Sequence, residues 1–490
     1  MRTALAALAA AALALGLGGC ASVPVDDVFS DAADLAAERT GRRVEWADVS
    51  LGAEEMDDRV RALLSRPLDA DAAVEVALLA NRRLQARHAA LGAAAAAKVQ
   101  AGLPPNPFLE VTARFRDGGG TPQLEVSVVQ EVLDLFLLPA RKRLAAVELE
   151  RARLDLASAV IDLAAETRQA FVRYQAERQL LELDRHALTA VEAAWEMAVQ
   201  LRAAGNVSEL DLLVERDFYE QVKLDVSRRE LAVAELRGRL DAMMGLWGER
   251  AAAWTAAERL PDPPPDAAVP EDAERRAVAR SLDLAAAVLD LEASARRLGI
   301  TDVAAVFPEL EVGAEGEREV ERDGGGDGGG GEHREWWYGP SVGFRIPVFD
   351  RGGPRRVAAR MEIRRRWDEL AALGVDVRAA ARGAATRLLY AERHARYTRE
   401  ILLPLRTALT AETQLHYNGM FLGIFQLLDA KRRELDAGRS HVVALRDYWL
   451  AAAALDQLLA GRLPDPPPMD GGGLDGLGTI RGEGAEEGGH

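Results

Sequence analysis

The sequence contains one cysteine, few aromatic residues and, after its N-terminal run, no long apolar stretch. Cys20 is the single cysteine among 490 residues, so an intrachain disulfide cannot form. Aromatic residues make up 5% of the chain, which favours helices packed through Ala, Leu and Val over a core of bulky side chains. No later stretch reaches the ~18 consecutive apolar residues that a membrane-spanning helix needs. If the chain crosses a membrane, we expect it to do so through strands of a closed barrel.

An excess of positive charge and the common catalytic motifs are also missing. The net charge is -17, whereas a basic stripe is the usual footprint of nucleic-acid binding. The basic runs at 141–143, 355–356 and 364–366 lie among helical residues, and we interpret them as solvated helix faces or helix-start charges. No His-Glu-x-x-His, Cys-x-x-Cys or Gly-x-Ser-x-Gly motif occurs. We therefore expect no enzyme, no catalytic residues, no cofactor and no bound metal.

The N-terminus has the pattern of a lipoprotein signal peptide. Arg2 precedes an apolar run over residues 4–17, which is too short to span a bilayer and is typical of a secretory signal. The following Leu17-Gly18-Gly19-Cys20 resembles a bacterial lipobox, which implies cleavage before Cys20 and acylation of its thiol. The alternative is an ordinary cleaved signal with an incidental cysteine.

An internal repeat organises the rest of the chain. The segment at 259–265, Arg-Leu-Pro-Asp-Pro-Pro-Pro, recurs at 462–468, and a similar offset relates the helical segments around Asn81 and Ser281. We predict five parts. These are a signal peptide (1–19), an extended lipid-anchored tether (20–68), a first repeat (69–260), a second repeat (261–463) and a disordered tail (464–490).

Each repeat predicts a short helix, a strand pair and a long helical hairpin. In the first strand pair Leu109 and Val111 alternate with Glu110 and Thr112, a period of two that is typical of strands with one apolar and one wet face. In the second pair the alternation continues to Ile346 and Val348. A soluble, half-buried hairpin would give the same alternation. At one end of the last predicted strand we expect an interfacial aromatic belt of Trp336, Trp337 and Tyr338.

The helical stretches are long enough to need a coiled-coil partner. From Arg141 to Gly205 the chain would form a helix of ~100 Å, and an isolated helix of that length needs a neighbour. We predict that the chain reverses at Gly205-Asn206 in the first repeat. In the second repeat we predict a tip at Gly419, followed by Phe421.

At several motifs the sequence resembles TolC-type outer-membrane factors, an outer-membrane efflux lipoprotein family. Ile346-Pro347-Val348-Phe349-Asp350-Arg351-Gly352 is similar to the strand-to-helix corner of that family. The stretch from Ala203 to Leu213 resembles its first hairpin tip, and Leu427-Leu428-Asp429-Ala430-Lys431 resembles the start of its last helix. With the repeat, the resemblance covers nearly all of the chain from Asp69 to Gly461.

The resemblance implies a mainly α fold with a small β part and two tandem repeats. Three copies would form an α-helical barrel, and each would give four strands to a shared twelve-stranded β-barrel. The implied function is the outer-membrane channel subunit of a tripartite efflux system, a passive duct from the periplasm of a Gram-negative cell to the outside. The implied partners are outer-membrane lipid, a periplasmic adaptor (membrane-fusion) protein and a proton-driven inner-membrane pump.

The resemblance also implies a gate at the periplasmic entrance. Asp429 matches an acidic gate residue of the family, and Asp211 and Glu215 are its analogues in the first hairpin. Rings of carboxylates favour cations and repel one another. The stretch from Gly419 to Gln426 departs from the family pattern, because it is apolar and Phe425 stands near the place of the first acid. This tip could instead close hydrophobically or dock the adaptor.

Two other classes remain open from the sequence. A periplasmic adaptor can also be a lipoprotein with a helical hairpin, but it normally has one hairpin flanked by small β domains. A structural coiled-coil lipoprotein without a pore would not need the amphipathic strands. The cargo, whether metal ion, drug or polypeptide, is left open.

Overall fold

A computed structural model of the chain consists of long helices and one four-stranded sheet. The structure describes residues 22–23, 25–41, 53–115, 117, 121–257, 259–265, 269–306, 310–322, 332–346 and 348–464. The predictions for the signal peptide, for Cys20 and for residues 465–490 of the tail lie outside these residues.

The first repeat has the predicted order of elements. After α1 (Val25–Thr40) and α2 (Ala53–Leu64), its elements are α3 (Ala70–Ala80), α4 (Arg82–Ala101), β1 (Phe108–Arg114), β2 (Gln123–Glu131), α5 (Val132–Ala203), α6 (Glu209–Met243) and the short α7 (Glu249–Ala253). Helix α5 has 72 residues and is therefore ~110 Å long. Pro139 lies within its early turns, and the helix begins directly after β2.

The second repeat has the same order with one difference in its long helix. Its elements are α8 (Ala273–Arg280), α9 (Leu282–Val306), β3 (Leu310–Arg322), β4 (Glu332–Phe344), α10 (Gly353–Tyr397), a π-helical turn (Thr398–Leu402), α11 (Leu403–Asn418) and α12 (Ile424–Ala460). The π-helical turn precedes Pro404, whose ring nitrogen cannot donate to the helix.

The two repeats also share a junction. Asn81 separates α3 from α4, caps α4 through its side chain, and donates from Nδ2 to the Met243 carbonyl at 2.7 Å. Ser281 separates α8 from α9, and the next residue, Leu282, donates its N–H to the carbonyl of Gly461 at 2.8 Å. In both repeats the break in the short helix therefore meets the end of the long hairpin, as the sequence offset suggests.

The N-terminal segment is not the extended tether that the sequence predicted. Residues 25–40 and 53–64 are helical. In α1, Val28, Ala32 and Ala36 are buried against α4 and α5 and belong to one apolar cluster with Leu84 and Leu91. These three residues are spaced four apart and so lie on one face of the helix. Small Ala residues give a weak hydrophobic signal, so the helical periodicity of this segment is easily overlooked in the sequence.

The sheet is antiparallel throughout, in the order β1-β2-β3-β4, and has two unlike faces. Register and alternation place one set of apolar side chains on the same face: Leu109, Val111, Leu124, Val126, Val128, Val312, Trp336, Tyr338, Val342 and Phe344. The other face carries Glu110, Glu125, Glu311, Glu315, Glu317, Glu319 and Glu335. The alternation predicted from the sequence is confirmed over these strands.

The aromatic residues occupy a different place in β4 from the one predicted. Trp336, Trp337 and Tyr338 lie inside the strand, because β4 extends back to Glu332. Trp336 and Tyr338 share the apolar face, while Trp337 is on the acidic face because neighbouring residues of a strand alternate. At its other end the strand stops at Phe344, so Ile346 and Val348 lie beyond it.

Candidate functional site

The first hairpin tip is a tight turn held by its own side chains. Helix α5 ends at Ala203, and Gly205 has a φ of +79°, a left-handed conformation that favours glycine. Arg202 ties the turn together by donating to Glu209 at 3.1 Å and to the Val207 carbonyl at 3.1 Å. Gly205 and Asn206 are exposed at this tip.

Asp211 has a structural bond within the same turn. Ser208 is the N-cap of α6, and the Ser208 and Asp211 side chains form a reciprocal capping box. The Ser208 hydroxyl donates to Asp211 Oδ2 at 2.7 Å, while the Asp211 N–H donates back to Ser208 Oγ at 3.1 Å. Asp211 remains exposed, but its carboxylate is engaged in starting the helix.

Glu215 is buried and joins the two hairpins. Its side chain is 5% exposed and accepts from Arg432 Nη2 of α12 at 2.9 Å. The Arg432 guanidinium also lies over the Phe218 ring, 3.7 Å from the ring centroid. The structure therefore places Glu215 between the two hairpins, as the buried partner of Arg432.

Asp429 is the exposed acid near the second tip. Its side chain is 54% exposed and pairs with Arg433, one turn later on α12, at 2.8 Å. A solvated pair of this kind holds its partners weakly. Asp429 is therefore an exposed carboxylate whose ion pair is local to α12.

The second tip is apolar and turns at an unexpected residue. Met420, not Gly419, has the left-handed conformation, with a φ of +62°. A Cβ atom at Gly419 would lie 2.8 Å from the Phe421 ring, so the glycine is needed for the ring to fold back. The side chains of Met420 and Phe421 are 94% and 79% exposed, and the Phe421 ring meets His416 edge-on at 6.1 Å.

A buried ionic node lies farther from the tips and was missed by sequence reasoning. Asp184 of α5 is 1% exposed and accepts from Arg229 of α6 at 2.5 Å and from Arg439 of α12 at 2.8 Å. Arg229 also donates to Glu177 at 2.7 Å. The one sequence signal is that Arg432 and Arg439 are seven residues apart, which places them on the same face of α12. Their partners in the first hairpin could not be identified from spacing.

The π-helical turn is a second feature that the sequence did not predict in detail. Buried Thr398 donates to the Ala395 carbonyl at 2.9 Å, and its hydroxyl lies 3.1 Å from Nδ1 of His441 on α12. Burial lowers the pKa of His441, and the nearby Asp262 opposes this shift while Arg399 adds to it. Arg399 and Asp262 are themselves paired at 3.1 Å.

The described residues contain no group of three or more His, Cys, Asp or Glu side chains that could hold a metal ion. Across the same residues, no helix has the length and apolar character needed to pass through a bilayer.

Comparison with known proteins agrees with the fold. Residues 275–461 match the model of the outer membrane efflux protein family. The chain is 27% identical over 401 residues to outer membrane protein OprJ of Pseudomonas aeruginosa, an alignment that covers 77% of this chain and 78% of OprJ.

Solved structures show the same architecture. A membrane protein from Pseudomonas aeruginosa gives a TM-score of 0.61 at 21% identity, over 81% of this chain and 95% of that one. The open state of the MtrE outer membrane channel of Neisseria gonorrhoeae gives 0.61 at 16% identity, over 80% of this chain and 89% of that one.

The duplicated strand-and-hairpin fold and these matches point to one class: the chain is similar to outer membrane efflux proteins, through residues 275–461 in the family model and through most of its length in the alignment with OprJ.

Proposed function

We propose that the protein is the channel subunit of a tripartite efflux system, a passive duct that carries solutes from the periplasm out of the cell. The two-faced sheet is the observation that supports this most strongly. Its apolar face suits lipid, and its acidic face suits water. Strand β2 continues directly into α5, a helix ~110 Å long, which suits a protein that reaches deep into the periplasm.

Three copies are proposed to complete the duct. Strands β1 and β4 are the edges of the sheet in the described chain, and an unpaired edge in lipid leaves costly backbone groups. The hairpins also present exposed apolar side chains at helical spacing. On α6 these are Leu210, Leu213, Leu224 and Leu231, and along the second hairpin they are Tyr397, Ile401 and Leu405. Contact with neighbouring copies would cover both the strand edges and these side chains.

The entrance is proposed to combine one exposed acid with a buried latch. Asp429 would line the passage and favour cations. The buried Glu215–Arg432 pair would hold the two hairpins together in the closed state, because separating it would leave a buried charge without its partner. Asp211 would serve mainly to start α6.

The remaining parts of the proposal concern the partners, the second tip and the lipid anchor, and they rest on the similarity to outer membrane efflux proteins. A periplasmic adaptor and a proton-driven inner-membrane pump would supply the contacts and the energy that a passive duct lacks. The exposed Met420 and Phe421 would either meet the adaptor or close the tip. Acylation of Cys20 would anchor the mature N-terminus in lipid.

The test is single-channel conductance of the purified protein in a planar bilayer, with the oligomeric mass measured on the same sample. We expect a trimer with steady, cation-preferring conductance. A monomer that never conducts would overturn the channel and favour an adaptor or a structural coiled-coil lipoprotein instead.

A further inference from the structure

Basic side chains gather where the sheet passes into the long helices. Helix α5 begins directly after β2, and α10 begins nine residues after the end of β4. Within residues 132–147 and 345–360 there are eight basic side chains and two carboxylates, in a chain whose net charge is -17. We use the term basic collar for six of them: Lys142, Arg143, Arg351, Arg355, Arg356 and Arg360.

Most of the collar has no acidic partner. Within the part of the chain that the structure describes, no carboxylate forms an ion pair with Lys142, Arg143, Arg351 or Arg360. Arg355 pairs with Asp350 at 3.0 Å, and Asp350 also accepts from the Gly352 N–H, which steadies the corner before α10.

The arginines just below the collar are different. Arg364, Arg365 and Arg366 are all paired with acids on their own helix. These three arginines therefore differ from most of the collar, although the sequence shows both as similar basic runs.

Exposed apolar side chains accompany the collar. Phe136 near the start of α5 is 72% exposed, and Ile346, Val348 and Phe349 at the corner before α10 are 67%, 63% and 101% exposed. Fully exposed phenylalanine beside unpaired arginine is unfavourable in water. It suits the boundary of a bilayer, where rings enter the acyl region and cations meet headgroups.

Distance along the helices agrees with that position. The headgroup region of one leaflet is roughly 5–8 Å thick. Arg351 lies at the corner itself, and Arg360 is seven residues, or ~11 Å, along α10 from Gly353. Long arginine and lysine side chains can extend back toward the interface while their stems cover apolar surface.

We infer that the basic collar binds the phosphate groups of anionic phospholipids in the periplasmic leaflet of the outer membrane. This inference rests on the proposed function, since it needs the sheet to lie in lipid. A lipid surface fits better than a free phosphate ion, because the cations are spread around exposed aromatic side chains rather than gathered in an enclosed cavity. The contact would fix the depth of the sheet in the bilayer.

The test compares two triple variants of equal charge change. The first is Arg143→Gln, Arg351→Gln and Arg360→Gln, which removes unpaired collar charges. The control is Arg216→Gln, Arg387→Gln and Arg393→Gln, which removes exposed arginines that lie far from the sheet and have no ion pair among the described residues. Phosphatidylglycerol and phosphatidylethanolamine are titrated onto each detergent-solubilised protein, and bound lipids are counted by native mass spectrometry.

We expect the unaltered protein and the control to prefer phosphatidylglycerol. The collar variant should lose roughly a hundredfold in affinity for it, since each basic residue near an anionic surface gives about a fivefold effect. Equal loss in both variants, or no preference in the unaltered protein, would overturn the inference. So would displacement of the lipid by an excess of inorganic phosphate, which would indicate a phosphate site instead.

Conductance of the same samples separates this inference from the proposed function. A collar variant that still conducts as a trimer but has lost lipid preference supports the collar. An unaltered protein that never conducts defeats the channel itself.

Discussion

Glu215 of the first hairpin and Arg432 of the second form a buried ion pair of 2.9 Å across 217 residues of sequence. The pair lies between the two tips and the Asp184 node, where Arg439 makes a second bond from α12 to the first hairpin. Two arginines two turns apart on one helix thus bind carboxylates of the other hairpin. This arrangement links the position of the second tip to that of the first.

Glu215→Gln should weaken the closed state. The substitution leaves the partly buried Arg432 guanidinium without its charged partner, and a hydrogen bond to a charged group is worth roughly 1.5–3 kcal/mol. If only the closed state makes this bond, the ratio of open to closed channels should rise about tenfold or more. Single-channel recording measures this ratio.

Glu220→Gln is the matched control for that experiment. Glu220 lies on the same helix, is half exposed and pairs locally with Lys223. An unchanged open probability in Glu215→Gln, or the same rise in the control, would show that the pair is not a latch.

Asp429→Asn should reduce the preference for cations without changing the open probability greatly. Asp429 is exposed, and its pair with Arg433 is local to α12. The reversal potential in a salt gradient measures this preference. Asp436→Asn, seven residues farther along the same face, removes an equally exposed carboxylate away from the tip. Equal effects of both variants would mean that total charge, rather than position at the entrance, sets the selectivity.

Gly245→Ala should destabilise the protein strongly. Gly245 has a φ of +65°, and a Cβ atom there would lie 2.3 Å from the Ala80 carbonyl oxygen. Backbone strain alone costs roughly 1–3 kcal/mol, and the clash adds to it. The apparent melting temperature in detergent should therefore fall. Gly238→Ala, within α6 and with open space around it, should instead raise stability by up to ~1 kcal/mol. Equal melting temperatures for the two variants would contradict the close contact between Gly245 and Ala80.

Acid should loosen the N-terminal helix through His88. This side chain is 1% exposed, packs against the Phe29 ring at 4.9 Å, and burial lowers its pKa to about 4. The unfolded chain, with a histidine pKa near 6.5, binds the proton more readily, so stability should fall as the pH drops from about 6.5 to 4. The loss is at most about 3 kcal/mol from this one group.

Melting curves measured between these pH values test the role of His88. His88→Gln should remove most of its share of the pH dependence, whereas His186→Gln at an exposed site should not. The same dependence of stability on pH in the unaltered protein and both variants would contradict a role for His88.

Substitutions at two neighbouring residues of β1 can distinguish the environments of the two faces of the sheet. Val111→Arg places a charge on the apolar face and should cost about 2–4 kcal/mol where that face meets the lipid interior. Thr112→Arg places the same charge on the acidic face and should be tolerated. The fraction of protein recovered in the outer membrane measures the difference. Equal recovery of both variants would mean that the apolar face does not contact lipid.

Much of the fold follows from local patterns. The break at Asn81 follows from an N-cap residue, and the tip at Gly205 follows from a glycine that can adopt positive φ. The period-two alternation around Val111 assigns the faces of the sheet before any register is known. The extended tether was wrong for residues 25–40 and 53–64, which are helical. In the first of these helices the buried residues include the small Ala32 and Ala36, which carry a weak periodic signal.

The candidate site was less predictable. Asp211, Glu215 and Asp429 look alike in the sequence, as acids near a helix start. The structure separates them into a helix cap, a buried interhelical partner and an exposed carboxylate. At the second tip the left-handed residue is Met420 because Phe421 folds back over Gly419, and that ring contact has no local signature.

The sequence by itself determined the repeat, the long helices, the first hairpin turn and the two faces of the sheet, because the helices, the turn and the faces each depend on residues within a few positions of one another. Only the tertiary structure decided which charges are partnered. Arg432 meets Glu215 and Arg439 meets Asp184 through the register of one hairpin against the other. Among the described residues, Arg143, Arg351 and Arg360 of the collar have no acidic partner, although they resemble the paired arginines farther along α10. Contacts between segments some 200 residues apart depend on how long helices pack, and no local spacing encodes that choice.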